Sequence, residues 1–147
     1  PLEIIPIEAD GFHLKITLVI NGKPAILILD TGASRSVFDE TRIANFVDVD
    51  AIKEQYRLST GLGTNSMKSK QVVLAEIQIG GITMFDYNAA VIDLSHVNQS
   101  YDKLDIEPVD GVLGGDILKD YKAVIDYDKK ELVLNTQIVG LASNSSI

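Results

Sequence analysis

The sequence of 147 residues contains no cysteine. Disulfides, thiolate metal sites and cysteine nucleophiles are therefore excluded together. Clusters of Lys and Arg are also absent, and the formal net charge is −8 at pH 7. Nucleic acids and anionic membrane surfaces favour clustered basic residues, so we expect neither as a partner. The side chains left for chemistry are hydroxyls, carboxylates and 2 histidines.

No apolar run approaches the length of a membrane span, and the chain has no internal repeat and no linker-like stretch. These absences, with 46% hydrophobic residues, predict one globular domain over residues 1–147, with no membrane partner within this segment. We expect the tail from about residue 141 to be disordered. Because the chain begins at Pro1 rather than Met, we also expect an upstream segment, and the sequence indicates no compartment.

Short strands separated by turn signals dominate the chain. Apolar and polar residues alternate from Phe12 to Ile20, and Asn21-Gly22 then predicts a tight hairpin whose return strand covers residues 24–29. His13 falls on the polar side of the first strand, where we expect an exposed residue without a role. Residues 39–46 are predicted to form a short helix, and residues 93–103 show weak helical spacing. The pattern indicates a mostly β, closed or rolled sheet.

The return strand ends in an unusual way, because an apolar run leads directly into Asp30-Thr31-Gly32. A carboxylate carried to the edge of a core is costly unless it is paired or hydrogen-bonded, which makes Asp30 a candidate functional residue. The plain alternative is an ordinary turn, since Asp and Gly are common turn residues. The motif alone does not separate the two interpretations.

Two further stretches of the sequence bear on the choice between a functional Asp30 and an ordinary turn. Residues 109–118 contain a short apolar strand that breaks at Gly114-Gly115, where a ligand or another backbone can come close, and Asp116 is expected to cap the following helix. Residues 56–70 form two polar arms around Gly61-Leu62-Gly63, which predicts a mobile hairpin. This hairpin is either a lid or a surface hairpin of no consequence.

Taken in order, Asp30-Thr31-Gly32-Ala33-Ser34 and the later Gly111-Val112-Leu113-Gly114-Gly115-Asp116 resemble the retropepsin-like aspartic proteases. The resemblance covers roughly residues 10–135 and implies a closed, mostly β acid-protease barrel with two short helices. It implies neither a cofactor nor a metal. The roles it implies are a catalytic Asp30, an active-site loop of Thr31, Gly32, Ala33 and Ser34, a substrate-binding flap at Gly61, Leu62 and Gly63, and supporting positions at Gly114 and Asp116.

The chain departs from the family pattern in two places. Retroviral members often carry an acid and an arginine that pair with each other, and those positions hold Ser34 and Gly115. Both halves of the pair are missing together, which suggests a variant solution rather than a broken enzyme. The segment between Asp93 and Pro108 is also longer than a minimal retroviral lobe needs, and the sequence assigns it no role.

Aspartic-protease chemistry needs two carboxylates that share a proton, and this chain contains a single Asp-Thr-Gly. The resemblance therefore implies a homodimer in which Asp30 of each subunit supplies half of the site, acting as an endopeptidase on a polypeptide substrate. The candidate pocket residues Val37, Leu62 and Val112 are apolar, which suggests an apolar-leaning preference. One alternative is a non-catalytic dimerisation or peptide-binding module. A glycan hydrolase fails because no second carboxylate occurs in a matching context.

Overall fold

The computed structural model describes residues 2–7, 11–58 and 66–135. The secondary-structure elements, in chain order, are β1 (Leu2–Ile7), β2 (Gly11–Ile20), β3 (Lys23–Leu29), β4 (Val37–Asp39), β5 (Lys53–Leu58), β6 (Ser66–Ile79), β7 (Ile82–Ile92), α1 (Ser95–Lys103), β8 (Gly111–Leu113), α2 (Gly115–Asp120), β9 (Val124–Asp126) and β10 (Glu131–Val133). Single 3₁₀ turns cover Ile43–Asn45 and Val49–Ala51. Among the described helices, none has the length and apolar character needed to cross a membrane.

Eight strands form one sheet in the order β1-β2-β3-β8-β4-β7-β6-β5. An additional pairing between β2 and β6 closes the middle of this sheet into a barrel. Strand β8 is inserted between β3 and β4, parallel to the first and antiparallel to the second. The predicted mostly β, closed sheet is therefore confirmed, and β1 lies at the sheet edge, a position that tolerates its Pro6.

Turn chemistry sets the register of the two long hairpins. Asn21 and Gly22 both adopt positive φ, at 49° and 82°, which is the geometry of a type I′ turn. This turn places Leu14 opposite Leu29. Between β6 and β7, Gly80 has a φ of 59°, and the strands pair from Ile79 and Ile82 onward. The first hairpin confirms the prediction made from Asn21-Gly22.

The main core fills the space inside the barrel. Strand β2 contributes Leu14, Ile16, Leu18 and Ile20, which alternate with residues on its other side. Phe12 departs from the expected alternation, because 66% of its surface is exposed. The other fully buried members come from the facing strands and include Leu27, Phe38, Leu74, Ile77, Val91 and Leu113.

A second, smaller core lies on the opposite face of β3. Tyr101 of α1 packs with Ile28 and Val109, and Ile26, Val97, Ile106 and Val112 surround them. The segment that the sequence left without a role therefore covers one face of the strand that leads to Asp30. Its helix, α1, confirms the weak helical spacing.

The predicted helix over residues 39–46 is wrong apart from the 3₁₀ turn Ile43–Asn45. Asp39 ends strand β4 instead of starting a helix, and only 1% of its surface is exposed. Its carboxylate accepts hydrogen bonds from the Leu94 backbone N–H at 2.9 Å and from the Thr41 hydroxyl at 2.6 Å. These bonds compensate the burial of the charge and hold the chain out of a helical path.

The last hairpin of the described chain is a separate two-stranded sheet of β9 and β10. Leu132 and Ile125 are opposite each other in it, and both pack against the main core. The expected disordered tail lies outside the described residues.

Leu27→Ala tests the contribution of the strand that carries Asp30 to stability. Leu27 is fully buried, so its truncation leaves a cavity and should lower the free energy of unfolding by about 3 kcal/mol. Leu104→Ala is the matched control, because 38% of Leu104 is exposed, and it should change that value by less than about 1 kcal/mol. Urea unfolding measures both, and equal losses would contradict the packing described here.

Candidate active site

Asp30 lies directly after β3, where the sheet is still continuous. Its backbone N–H donates to the Leu113 carbonyl at 3.0 Å. Leu29 before it is 6% exposed and belongs to the main core, so the Asp30 side chain points to the opposite side. In the single chain this side chain is exposed. The expectation that Asp30 is a costly buried charge is therefore wrong for the single chain, because the chain leaves the core immediately after Leu29.

The turn that follows Asp30 orients its carboxylate. The Gly32 N–H donates to Asp30 Oδ1 at 2.9 Å, and the Ala33 N–H donates to the Asp30 carbonyl at 3.2 Å. A Cβ atom on Gly32 would lie 3.3 Å from Asp30 Oδ1, so a side chain there would crowd the carboxylate. Thr31, Gly32 and Ser34 are exposed, and Ala33 is half-buried. The loop therefore presents one oriented carboxylate to solvent.

The two unusual stretches of the sequence meet at Gly114 and Gly115. The Gly115 N–H donates to the Ala33 carbonyl at 2.6 Å. A Cβ atom on Gly114 would lie 2.8 Å from the carbonyl oxygens of both Ala33 and Arg35, closer than real side chains come. Glycine is required at position 114 because the backbone of the Asp30 loop occupies that space. The predicted close approach at these glycines is thus confirmed as an approach of backbone.

Asp116 does not cap α2 as the sequence analysis expected. Gly114 is the N-cap residue, and Asp116 lies in the first turn of the helix. Its carboxylate instead accepts hydrogen bonds from the Ser36 N–H at 2.9 Å, the Ser36 hydroxyl at 2.7 Å and the Tyr87 hydroxyl. The Ser36 oxygen also accepts from the Gly114 N–H at 2.8 Å. Asp116 therefore ties α2, the end of the Asp30 loop and β7 together.

These contacts shift two pKa values. Burial alone would raise the pKa of Asp116, but hydrogen bonds from Tyr87 and Ser36 outweigh it, so this pKa lies below its usual range. Burial, reinforced by the bond to the Asp116 carboxylate, raises the pKa of Tyr87. The pair is thus held as a carboxylate with a protonated phenol.

Sequence reasoning missed four residues that hold the loops around Asp30. Ser36 and Tyr87 have no distinguishing pattern, because a serine after a turn and a tyrosine in a strand are common. Asp39 and Asp110 are buried carboxylates, and the Asp110 carboxylate accepts from the Ile26 N–H and from Arg42 Nε, both at 2.8 Å. Asp110-Gly111 lacks the threonine of the motif, and in the structure Asp110 is an internal ion-pair partner.

The predicted pocket residues Val37 and Val112 lie directly opposite each other on β4 and β8, and both are half-buried. Val112 is also opposite Ile28 on β3. Directly opposed residues share a face of the sheet, so these side chains line the side to which Asp30 points. The arms of the predicted flap, β5 and the start of β6, pair as far as Leu58 and Ser66. Gly61, Leu62 and Gly63 lie outside the described residues.

Ser34 and Gly115 stand at the two positions where retroviral members often carry an acid and an arginine that pair with each other. Ser34 is exposed, and Gly115 contacts the loop through its backbone N–H alone. In the described part of the chain, no group of three or more His, Cys, Asp or Glu side chains is arranged to hold a metal ion.

Comparison with solved structures defines the fold class. The chain is similar to the retroviral protease-like domain of Ddi1 from Leishmania major, with a TM-score of 0.59, 15% identity, and coverage of 86% of this chain and 91% of that one. It is also similar to a retropepsin-like aspartic protease from Rickettsia conorii, with a TM-score of 0.54, 21% identity, and coverage of 86% and 84%. The barrel therefore has the retropepsin-like fold, as the two motifs predicted.

The family follows from the sequence itself. Residues 16–117 match the family model described as aspartyl protease. The match covers more than half of the chain, so the chain belongs to the aspartyl protease family. A comparison with curated protein sequences gives no significant match.

Asp116→Asn tests the network behind the loop. A pKa lowered by folding adds stability that is present above the unfolded pKa, near 3.9, and is lost as the pH falls through the lower folded value. We expect the variant to be less stable than wild type at pH 7 by about 1 kcal/mol, with a gap that narrows below about pH 4. Urea unfolding at pH 7 and pH 3 measures this gap, and a gap independent of pH would contradict the described network.

Proposed function

We propose that the chain is an aspartic endopeptidase that hydrolyses peptide bonds in extended polypeptides and is active as a homodimer. The observation that carries the proposal is the single exposed carboxylate of Asp30, oriented by the Gly32 N–H at the end of a buried strand. Family membership supplies the class of chemistry. One oriented carboxylate is half of the pair that this chemistry needs.

The second half comes, in this proposal, from Asp30 of the partner subunit. Two carboxylates about 3 Å apart cannot both be ionised, so they share one proton. The ionised member removes a proton from a water molecule held between them, and the protonated member donates to the carbonyl oxygen of the scissile bond. The water oxygen bonds to the carbonyl carbon and gives a tetrahedral gem-diol. As the C–N bond breaks, the carboxyl that took the proton of the water gives it to the leaving nitrogen, and the gem-diol hydroxyl returns its proton to the other carboxylate. No covalent enzyme intermediate forms.

The neighbouring residues have positioning and binding roles in this scheme. Thr31 hydrogen-bonds the opposite loop across the dimer axis, and Gly32 allows the substrate backbone to approach. The flap around Gly61, Leu62 and Gly63 closes over the peptide and excludes water. Val37 and Val112 contact apolar parts of substrate side chains. Backbone hydrogen bonds to an extended peptide give affinity, and the side-chain pockets give specificity.

A non-catalytic peptide-binding module is the second candidate. The exposure of Asp30 in the single chain favours it, because an exposed carboxylate can be kept without catalysis at little energetic cost. The two candidates differ in one respect that can be measured, which is whether a bound peptide is cleaved.

Asp30→Asn tests the proposed chemistry. An amide cannot act as the general base, so cleavage of a mixed peptide library should fall at least about a thousandfold while the fold stays intact. Asp128→Asn is the matched control, because Asp128 is an exposed aspartate in the β9–β10 turn and should retain full activity. Mass spectrometry of the products, with and without a transition-state analogue inhibitor of aspartic proteases, measures cleavage.

A fully active Asp30→Asn protein would overturn the assignment of the catalytic residue. A wild-type protein that binds peptides but cleaves none across the pH range would show that the binding module is the correct alternative.

A further inference from the structure

The side of the sheet to which Asp30 points carries a histidine in the adjacent register position. Leu14 of β2 lies opposite Leu29 of β3 in the last pair of this ladder, and His13 and Asp30 are the next residues along the two chains. Leu14 and Leu29 both belong to the main core, so His13 and Asp30 share the other side. His13 is exposed, like Asp30.

The imidazole of His13 is held by the helix α1. His13 Nδ1 lies 2.6 Å from the Tyr101 hydroxyl, and the two rings are 5.8 Å apart at a tilt of 43°. Tyr101 is 2% exposed and packs with Ile28 in the second core. A hydrogen bond to a side chain fixed in this way restricts the histidine to one orientation. Segment 93–108 therefore has a contact with the edge of the site.

This hydrogen bond determines what the outer nitrogen of His13 offers. Within the described residues, the Tyr101 hydroxyl bonds to no other group than His13. Burial raises the pKa of Tyr101, so the hydroxyl keeps its proton. When the imidazole is neutral, Nδ1 accepts a hydrogen bond from this hydroxyl, and Nε2 carries the ring hydrogen. When the imidazole is charged, both nitrogens carry hydrogen. Nε2–H is thus a donor in both states.

On this side of the sheet Val112 offers an apolar surface, and the buried Lys15, opposite Ile28, has its ammonium 3.9 Å from a carboxylate oxygen of Glu107. Ile28 and Val112 lie opposite each other on the same side of the sheet, and Val112 is half-buried. A substrate side chain that passes along Val112 toward His13 meets methyl groups first and a hydrogen-bond donor at the end. A side chain with an apolar stem and a terminal oxygen acceptor matches this order.

We propose that His13 is a specificity-determining residue, held by Tyr101 as a positioning residue, and that it selects substrates with Gln or Glu beside the scissile bond. The inference rests on the proposed function because it concerns which peptides are cleaved, and it extends that function by naming a substrate class. It also refines the expectation of a purely apolar preference, since the stem of Gln or Glu takes the apolar contact.

The experiment compares peptides that carry Gln or Met next to the cleaved bond. Met has the length of Gln but lacks the strong acceptor. Wild type should favour the Gln peptide by about tenfold in kcat/KM, the size of one well-placed hydrogen bond. His13→Phe should bring this ratio close to one. Tyr101→Phe keeps the packed ring and should give an intermediate ratio.

His96→Phe is the matched control, because His96 is the other histidine and is exposed at the start of α1. It should keep the wild-type ratio. The same peptides are also measured by calorimetry on Asp30→Asn and on Asp30→Asn combined with His13→Phe, where binding is measured without cleavage. Analytical ultracentrifugation of each variant measures the monomer–dimer equilibrium.

Four outcomes separate the claims. A Gln preference that disappears with His13→Phe supports the inference, whether it is seen in cleavage or in binding alone. Binding with this preference but no cleavage by wild type would overturn the proposed function and leave the inference standing. If the preference for the Gln peptide over the Met peptide is unchanged in His13→Phe, the inference is overturned, even if this variant shifts the monomer–dimer equilibrium. If wild type cleaves neither peptide, failure of the Asp30→Asn protein to bind either peptide overturns it as well.

Discussion

The close backbone contact between the Asp30 loop and Gly114-Gly115 is the constraint on which the site depends. The Gly115 N–H bonds to Ala33, and Gly114 fits against the loop because it has no Cβ. Asp116 then receives both polar groups of Ser36. This contact explains how the chain holds the loop without the ion pair that retroviral members form at Ser34 and Gly115.

The alternation of β3 connects stability with function. Leu27 and Leu29 face the main core, whereas Ile26 and Ile28 face the second core under α1. A strand buried on both faces has a fixed position, so the backbone of the residue directly after it is also held in place. Asp30 is therefore placed accurately although its own side chain is exposed. The helix α1 has two roles here, since it covers Ile28 and also bonds to His13.

Much of the fold could be predicted because local sequence determines it. Asn21-Gly22 and Gly80 define two hairpins through their positive φ angles, and the ordered pair of motifs indicated the family. Long-range packing determined what the sequence did not show. Asp39 ends a strand because Leu94 and Thr41 bond its carboxylate, and no local pattern reveals those partners. Long-range packing also determines the exposure of Asp30 and the contact of His13 with Tyr101, which are 88 positions apart.

The central claim is that one chain supplies half of a catalytic pair. A mixing experiment tests it most directly: wild-type and Asp30→Asn chains are unfolded together in equal amounts, refolded so that subunits combine at random, and assayed for cleavage at constant total chain concentration. If each active site needs Asp30 from both subunits, only wild-type dimers are active, and activity should be about one quarter of that of pure wild type. An activity of about one half would mean that each Asp30 acts alone, which would contradict the account.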